Sequence, residues 1–527
     1  MTTVDVPLRL EGGALRRFAS ALREPQRVQQ QVLHTILMRN AGSEWGHRFG
    51  FSRIEDVRRY QDRVPTCTYE DIRSAIQRMS HGESGVLTSD PIVAWEETGG
   101  STLGAKLLPY TECGLAQFRA GLQPWLESLL ALAPAAFDGR SYWSISPAGR
   151  APQRTPSGHL IGMPSDAGYF GEPHASRLLG RLAVPVQAGS IRDMAQWRRF
   201  TLVHLVACAD LSLISVWSPT FLTELLQSLR RESEVIAAIV RGDTHARSTM
   251  SGLPLPLPNS LRAARLIEVA TTSACDWQAL WPDLALISCW THARAQPWAN
   301  ELRRVFPRAR LQGKGLLATE ALVTVPIDFD GDPVLAPESG FFEFVDDRGG
   351  IRLAHEVEID SEYELLLTTA SGLYRYAIGD RVRVTGWIEA TPRLRFIGRS
   401  GVQSDLCGEK LVDAFVASVI EATGLKFGML GASPGSTGYV LVVDAQEATL
   451  HMAEVHAATV EAELCRNPQY AYARRLGQLQ PVAVRRVCDP IAAWMRRGLR
   501  RGQRLGDIKV PSLATGEDVE MLVGSQS

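Results

Sequence analysis

The chain has 527 residues, of which 45% are hydrophobic and 21% are charged, as in folded globular proteins and unlike disordered ones. Its formal net charge of −1 gives no overall field that would attract nucleic acid or an anionic membrane. Its eight cysteines include no C-x-x-C pair, a pattern that favours free thiols in a reducing compartment and gives no support for a zinc site.

The first part of the chain has the pattern of helices. Residues 10–80 carry apolar positions at three- and four-residue spacing, as in LHTILMRN and YEDIRSAIQRM. The N terminus shows no apolar run of secretory-signal length, so we expect a cytoplasmic protein. The most apolar long run, FTLVHLVACADLSLISVW (200–217), includes His204 and Asp210, and we interpret it as buried elements rather than a membrane span.

After about residue 90, short β-rich runs alternate with amphipathic helices, for example LALISCWT (284–291), QPWANELRRVF and ARLQGKGLLATEALVTVPI. Such alternation predicts parallel sheet in an α/β fold. Between 334 and 399 the helical pattern disappears, and period-two runs with glycine turns predict antiparallel strands that form a barrel-like subdomain or a small sheet.

The composition changes again near Gly398–Gly401, and an α+β pattern follows. We therefore predict an α/β fold with a large N-terminal domain, residues 1–398, of which 334–398 form the antiparallel subdomain. A small C-terminal domain of ordinary size would comprise residues 399–527.

Lysine is rare in this chain, and its positions are therefore informative. Of 56 basic residues only five are lysine: Lys106, Lys314, Lys410, Lys426 and Lys509. Four of them lie in or beside glycine-containing motifs. Because arginine cannot replace lysine where a slim ammonium must enter a crowded phosphate site, these positions are candidates for phosphate contacts. Chance placement is the alternative.

The stretch ETGGSTLGAKLLPYT (97–111) combines flexible backbone with donors. Its glycines allow backbone N–H groups to turn toward a ligand, Ser101 and Thr102 add hydroxyls, and Lys106 adds a charge. This combination suits an oligophosphate, although the spacing is not that of a Walker A loop. A glycine-rich surface hairpin explains the stretch equally well.

Two carboxylates stand in comparable positions further along the chain. In QGKGLLATEAL (312–322) we expect a strand that ends with Thr319 and Glu320, where the carboxylate is able to hold Mg²⁺ beside phosphate oxygens. In SGLYRYAIGDRVRVTG (371–386) we expect Asp380 in a glycine turn between two strands, where it is able to accept both ribose hydroxyls. A solvent-facing glutamate and an ordinary turn aspartate are the alternatives.

The order of the segments resembles the adenylate-forming superfamily of acyl-CoA synthetases, adenylation domains and luciferases. More closely, it looks like a bacterial-type member of the auxin-responsive-promoter family of acyl acid amido synthetases, known in plants for joining auxin or jasmonate to amino acids. The resemblance extends from about residue 30 to about 515 and rests on these motifs: TGGSTLGAKLLPYT, LISVWSPTFL, LISCWT, LQGKGLLATEALVTVPI, ESGFFEFV, YRYAIGDRVRVTG, RFIGRSGVQSDLCGEK and IKVP.

The resemblance implies an AMP-forming carbon–nitrogen ligase that uses ATP and Mg²⁺. Such an enzyme converts a carboxylic acid to an acyl-adenylate with release of pyrophosphate, and then transfers the acyl group to an amine, here expected to be an amino acid. The implied partners are therefore small molecules, with no nucleic acid and no membrane. The oligomeric state and the identity of the acid and amine stay open.

The resemblance also implies a role for individual residues. Gly99, Gly100, Ser101 and Thr102 would wrap the ATP phosphates, and Thr319 and Glu320 would contact the α-phosphate and Mg²⁺. Asp380 would bind ribose, and Arg399 would contact the nucleotide at the hinge. Lys410 follows the Gly-Glu shared by family hinges. Lys509, carried by a mobile C-terminal domain, would enter for adenylation, and Lys106 or Lys509 would stabilise developing phosphate charge.

Two departures from the family pattern leave other functions open. The phosphate loop has Gly99 and Leu103 where serine and glycine are usual, and Leu316 stands where a tyrosine commonly stacks on adenine. The alternatives are an adenylate-forming ligase with a thiol acceptor, either coenzyme A or a carrier protein, and an inactive member that acts as a ligand sensor. Trp217, Trp290 and Tyr169 are either walls of the acyl pocket or core residues.

Overall fold

The structure is a computed structural model of the chain, and it describes residues 13–98, 106–143, 153–162, 169, 171, 180–191, 193–272, 275–292, 295–346, 348–399, 403–425, 427–433, 435–491, 493–494 and 511–524. These residues separate into two compact units. Unit 1 contains the described residues up to Thr98 and Leu107–Arg399. Unit 2 contains the described residues after Arg399, together with Lys106.

Unit 1 begins with a series of helices, which confirms the prediction for this region: α1 (Gly13–Arg23), α2 (Pro25–Arg39), α3 (Glu44–Phe49), α4 (Val57–Arg63) and α5 (Tyr69–Ser80). Local signals set their starts. Ser43 accepts a hydrogen bond from the Gly46 N–H at the start of α3, and Asp56 accepts one from the Arg59 N–H at the start of α4. Such caps satisfy backbone donors that a helix leaves without intrahelical partners.

The next strands of unit 1 form two four-stranded sheets. The first has the order β2-β1-β5-β4 and consists of β1 (Ile92–Thr98), β2 (Lys106–Thr111), β4 (Gln153–Arg154) and β5 (Leu160–Ile161). The second has the order β3-β6-β7-β8, with all neighbours parallel: β3 (Arg140–Trp143), β6 (Leu211–Ser215), β7 (Leu286–Cys289) and β8 (Arg310–Gly313). The second sheet confirms the predicted α/β architecture.

Helices connect and surround these strands: α6 (Glu112–Leu132), α7 (Met194–Ala207), α8 (Pro219–Arg231), α9 (Ser233–Arg241), α10 (Thr244–Ser248), α11 (Ser260–Thr271), α12 (Trp277–Leu280) and α13 (Gln296–Val305). The apolar run 200–217 is divided between α7 and the fully buried strand β6, as predicted. Among the described helices, none has the length and apolar content that a membrane crossing requires.

The third sheet of unit 1 is antiparallel and has seven strands in the order β12-β11-β13-β14-β15-β10-β9. Its strands are β9 (Thr324–Val325), β10 (Val334–Leu335), β11 (Phe341–Val345), β12 (Ile351–Leu353), β13 (Glu362–Thr369), β14 (Leu373–Ile388) and β15 (Thr391–Arg399). This finding confirms the predicted antiparallel region, which takes the form of a sheet. A buried cluster on it includes Trp95, Phe342 and Val382.

Unit 2 is an α+β structure. Its main sheet has the order β20-β19-β18-β21, and a two-stranded ladder joins β16 to β17. The strands are β16 (Gln403–Ser404), β17 (Leu411–Val412), β18 (Gly428–Ala432), β19 (Tyr439–Asp444), β20 (Ala483–Val487) and β21 (Leu513–Ala514), and the helices are α14 (Asp413–Glu421), α15 (Leu450–Leu464), α16 (Pro468–Arg475) and α17 (Gly516–Gly524).

Candidate functional site

A cavity in unit 1 lies among β2, the first turns of α6 and the loop that follows β8. Its walls include Tyr110, Phe118, Thr319, Glu320 and Ser371, and it encloses about 350 Å³ with its open mouth included. The structure therefore brings Thr319 and Glu320, two of the predicted site residues, to the wall of one cavity. The apolar ring of Phe118 and the hydroxyl of Ser371 give the same cavity both apolar and polar surface.

The loop that carries Thr319 and Glu320 differs from the prediction. We expected these residues to end a strand, but β8 ends at Gly313, and the two residues lie in a bend closed by a bridge between Leu317 and Leu322. The chain leaves the parallel sheet at Gly315, where an added Cβ would lie 2.2 Å from the Thr324 carbonyl oxygen. This close approach of two backbone segments starts the loop early.

Tyr110 fixes the loop from the side of β2. Its hydroxyl donates a hydrogen bond to the backbone carbonyl of Thr319. Burial raises the pKa of Tyr110 above its usual value, and the carboxylates of Glu96 and Glu320 raise it further, against a hydrogen bond with Tyr169 that lowers it. Tyr110 is thus a neutral donor that holds the Thr319 carbonyl beside Glu320.

Helix α6 approaches the cavity at glycine positions. The Thr111 side chain caps the helix by accepting from the Gly114 N–H at 3.0 Å. An added Cβ at Gly114 would lie 1.9 Å from Ser371 Oγ, and one at Gly121 would lie 2.4 Å from a methyl carbon of Leu322. Side chains at these two positions would push α6 away from the cavity wall.

A second carboxylate, Glu96 on β1, lies close to this site and was missed by the sequence analysis. Its Oε1 accepts a hydrogen bond of 2.5 Å from the Tyr169 hydroxyl. The Tyr169 ring in turn contacts Tyr110 and Phe118, with ring centroids 6.0 Å and 5.3 Å apart. The signal in the sequence was the pair Glu96–Glu97 at the start of the glycine motif, but nothing local assigns Glu96 a partner 73 residues away.

Glu320 has the chemistry of a magnesium ligand at the cavity wall. In the part of the chain that the structure describes, no group of three His, Cys, Asp or Glu side chains is arranged to hold a metal ion. Mg²⁺ is commonly bound by one or two carboxylates together with substrate phosphates, rather than by a cage of protein ligands. A single half-exposed carboxylate that lines a cavity therefore fits Mg²⁺ bound together with a nucleotide.

Asp380 also differs from the prediction. We expected a turn between two strands, but Asp380 lies inside the continuous strand β14 and is 2% exposed. The turn falls earlier, at Gly372, where φ is +100°. Between Ala377 and Arg381 the strand carries extra residues relative to β13, and Gly379, with φ of +77°, allows this bulge.

Asp380 lies opposite Arg399, the last residue of β15, in the β14–β15 ladder. The part of β14 on either side of Asp380 shares a core with the loop that carries Glu320. Ala321 and Val382 belong to the same buried cluster, and Leu316 and Ile378 pack against it. Leu316 is therefore a partly buried packing residue, and its backbone N–H donates to Thr324 Oγ1 at 2.7 Å.

Lys410 lies in unit 2 in the left-handed region, with φ of +48°, directly after the buried Glu409. The Glu409 carboxylate accepts hydrogen bonds from the backbone N–H groups of Leu406 and Cys407, at 2.6 and 2.7 Å, and from the Tyr439 hydroxyl. Burial raises the pKa of Glu409 to about 7, and the nearby Asp405 charge contributes. This network fixes the turn that carries Lys410.

The remaining predicted residues have the following places. Lys106 is the first residue of β2 and is grouped with unit 2. Trp217 and Trp290 contact each other with ring centroids 6.0 Å apart. Gly99, Gly100, Ser101, Thr102, Leu103 and Lys509 lie outside the described residues.

Known proteins with similar sequences are amido synthetases. Indole-3-acetic acid-amido synthetase GH3.4 of Arabidopsis thaliana is 26% identical over a match that covers 77% of this chain and 72% of that protein. Jasmonoyl--L-amino acid synthetase JAR6 of Nicotiana attenuata is 23% identical, with coverage of 77% and 75%. Indole-3-acetic acid-amido synthetase GH3.8 of Oryza sativa subsp. indica is 25% identical, with coverage of 95% and 90%.

Solved structures with the same fold include two ligases. AtGH3.15 acyl acid amido synthetase, in complex with 2,4-DB, matches 97% of this chain and 95% of its own with a TM-score of 0.67 and 21% identity. 2-Hydroxyisobutyryl-CoA ligase, in complex with 2-HIB-AMP and CoA, matches 95% and 91% with a TM-score of 0.57 and 12% identity. These likenesses show that the chain has the fold of adenylate-forming ligases.

Family comparison agrees with the motifs and the fold. The GH3 family N-terminal domain matches residues 14–311, the GH3 family central domain matches residues 333–399, and the GH3 family C-terminal domain matches residues 422–518. The three matches follow in order, and the first alone extends over more than half of the chain. The chain therefore belongs to the GH3 family, the family of acyl acid amido synthetases that its motifs predicted.

Proposed function

We propose that this protein is an ATP-dependent acyl acid amido synthetase. It activates a carboxylic acid as an acyl-adenylate with release of pyrophosphate, and then transfers the acyl group to the amine of an amino acid. The observation that carries the proposal is the Thr319–Glu320 pair on the wall of a cavity in a chain of the GH3 family. The relatives named as amido synthetases support an amine as the acceptor.

The proposed reaction solves a leaving-group problem. A carboxylate and an amine do not condense in water because hydroxide leaves poorly. In the first step a carboxylate oxygen attacks the α-phosphorus of ATP, and the bond to pyrophosphate breaks. In the second step the amine nitrogen attacks the acyl carbon, the bond to AMP breaks, and the nitrogen loses its extra proton. The protein contributes positioning and charge stabilisation.

Residues on the cavity wall have defined parts in this scheme. Glu320 would hold Mg²⁺, which neutralises phosphate charge when it is bound with the nucleotide. Tyr110 holds the Thr319 carbonyl in place. The Thr319 hydroxyl and the Glu320 carboxylate, which line the same cavity, would contact the same phosphate. The Asp380 carboxylate, on a strand bulge, is proposed to bind the ribose hydroxyls.

The other proposed roles follow from the family resemblance. Gly99, Gly100, Ser101 and Thr102 would contact the phosphates, Arg399 and Lys410 the nucleotide, and Lys106 developing phosphate charge. The small C-terminal domain, residues 399–527, would carry Lys509 to the nucleotide for the first step, as closure steps commonly do. All eight cysteines are free thiols, which supports the proposed cytoplasmic location.

The test is a screen of carboxylic acids for acid-dependent pyrophosphate release, followed by mass spectrometry of the products with amino acids present. We expect amide formation with at least one acid. The Glu320→Gln variant should lose about a hundredfold in kcat, whereas the matched Glu358→Gln variant, which changes an exposed glutamate, should retain wild-type activity. Absence of acid-dependent pyrophosphate release over the whole panel would contradict the proposal.

One observation favours a second candidate, a thiol acceptor. The fold is shared with a CoA ligase whose structure contains CoA. The same assay with coenzyme A in place of amino acids separates the two candidates, since thioester without amide would assign the protein to the thiol ligases. A third candidate is an inactive ligand sensor, because Leu316 stands where a tyrosine commonly stacks on adenine. Nucleotide binding without turnover over the acid panel would support this candidate.

A further inference from the structure

Lys314 is a buried cation at the carboxyl edge of the parallel sheet. It directly follows β8 and is 8% exposed. Its Nζ donates a hydrogen bond of 2.8 Å to the hydroxyl of Ser215, the last residue of the neighbouring strand β6. A buried ammonium carries a desolvation cost that an apolar side chain of the same length would not carry.

Three tryptophan rings surround this ammonium. Lys314 Nζ lies 4.5 Å from the ring centroid of Trp217, 5.4 Å from that of Trp125 and 5.7 Å from that of Trp143. Each distance is within the range of a cation–π interaction. We call Lys314 with these three rings the tryptophan cage; its walls come from α6, from the end of β3 and from the segment after β6.

The cage is held in place by a buried amide. Trp125 Nε1 donates to the side-chain oxygen of Gln312 at 3.1 Å, and the Ser288 hydroxyl donates to the same oxygen at 3.1 Å. Gln312 is itself 1% exposed. The Trp125 ring is therefore fixed by hydrogen bonds as well as by packing, so the cage is organised before any ligand binds.

The position of the cage relates it to the cavity. In open α/β sheets, ligands bind beyond the carboxyl ends of the parallel strands, which is the edge that the cage occupies. Helix α6 carries both Phe118 of the cavity wall and Trp125 of the cage. These residues are seven positions apart, which places them on one face of the helix and separates them by about 10 Å along its axis.

Apolar surface lies along the same region. Trp143, Tyr169 and Leu317 are partly buried and pack against the hydrophobic cluster that contains Phe118 and Trp125. The Trp217 wall of the cage is 38% exposed, whereas Lys314 is 8% exposed. A ligand with an apolar or aromatic body would contact these side chains between the cavity and the ammonium.

We propose that Lys314 recognises the remote end of the acyl acid. The preferred substrates would be elongated acids with an aromatic or apolar body and a carboxylate, or another hydrogen-bond acceptor, at the end opposite the reacting carboxyl group. This inference rests on the proposed function. Phe118 of the cavity wall and Trp125 of the cage are separated by about 10 Å along α6. Because the reacting carboxylate has to lie beside Glu320 and the α-phosphate at the cavity, this separation assigns Lys314 to the remote group.

The experiment compares two acids that differ only at the remote end, 4-(4-carboxyphenyl)butanoate and 4-phenylbutanoate. Calorimetric binding and KM are measured for both acids with the wild-type protein and with the Lys314→Met variant, which keeps the apolar stem. We expect the wild-type protein to favour the dicarboxylate about tenfold and Lys314→Met to lose this preference, with KM for ATP unchanged. Lys426→Met is the matched lysine control and should behave as wild type.

A Lys314→Gln variant repeats the test if Lys314→Met fails to fold, because it removes the charge and keeps a polar end group that is able to donate to Ser215 Oγ. The preference should fall in the same direction. Equal affinity of the wild-type protein for the two acids, including no binding of either, overturns the inference. It is equally overturned if Lys314→Met weakens both acids by the same factor, as a purely structural lysine would. Absence of pyrophosphate release with every acid of the wider panel overturns the proposed function instead.

Discussion

The Glu409 carboxylate should make the stability of unit 2 decrease as the pH rises through neutrality. The group is fully buried, and burial, with the Asp405 charge, raises its pKa from 4.5 to about 7. Between these two pH values the folded protein holds a proton that the unfolded chain has released. The stabilisation is therefore complete below pH 4.5 and is lost as the pH rises through 7, a change of about 3 kcal/mol at about 1.4 kcal/mol per pKa unit.

The Glu409→Gln variant isolates this effect because glutamine does not titrate. The free energy of unfolding is measured by urea denaturation from pH 4.5 to pH 8 for both proteins, and hydrogen exchange identifies the transition that belongs to unit 2. We expect the wild-type value, relative to the variant, to fall by about 3 kcal/mol over this range. A difference that stays constant with pH would refute the reasoning, and Glu454→Gln, at an exposed position on α15, is the control.

Three further substitutions test the packing around the site. Tyr110→Phe removes the donor to the Thr319 carbonyl, so KM for ATP should rise about fivefold, and unchanged steady-state kinetics would contradict this role. Gly121→Ala forces a Cβ against Leu322 and should lower the free energy of unfolding by about 1–3 kcal/mol. Gly386→Ala is the control and should leave the free energy of unfolding unchanged, because the nearest atom to the added Cβ would be 3.9 Å away. Glu343→Gln leaves Arg375 buried without its carboxylate and should lower the free energy of unfolding, measured in urea, by about 3–5 kcal/mol. Glu362→Gln removes a carboxylate from a half-exposed ion pair and should lower it by less than about 1 kcal/mol.

The helices of the first 80 residues were predictable because their signals are local. Apolar residues at three- and four-residue spacing mark the buried faces, and the caps at Ser43, Asp56 and Thr68 are short-range hydrogen bonds within the next three residues. The strands of the parallel and antiparallel sheets were predictable for the same reason, since burial on one or both faces is visible as a pattern of side chains.

The ends of the strands were not predictable from such patterns. The run from Tyr363 to Ile388 contains Gly372 and Gly379, and both have positive φ, yet only Gly372 makes the turn. Pairing of β14 with β13 on one side and β15 on the other decides which glycine is a bulge, and that pairing is a long-range property. The early end of β8 likewise depends on the contact of Gly315 with Thr324.

The site itself was predictable in its chemistry and only partly in its contacts. Glu320 was identified by its motif. The cavity was not predictable, because its walls include residues that are far apart in the chain, such as Tyr110 and Thr319, which are separated by 209 positions. Lys314 was noted as a rare lysine beside a phosphate-type motif. The structure shows its ammonium within the tryptophan cage, and three rings from separate parts of the chain have no joint signature in the sequence.

The two ends of the proposed acid would meet different kinds of structure. The reacting end meets a short loop and a strand bulge, whose shapes depend on backbone contacts at Gly315 and Gly379. The remote end meets side chains at the ends of strands. A substitution at Lys314 changes the charge of the cage and leaves the β6–β7–β8 ladder intact, because its side chain takes no part in that ladder. The proposed activation chemistry therefore depends on backbone contacts, whereas the proposed choice of acid depends on side chains whose substitution leaves the strand ladder unchanged.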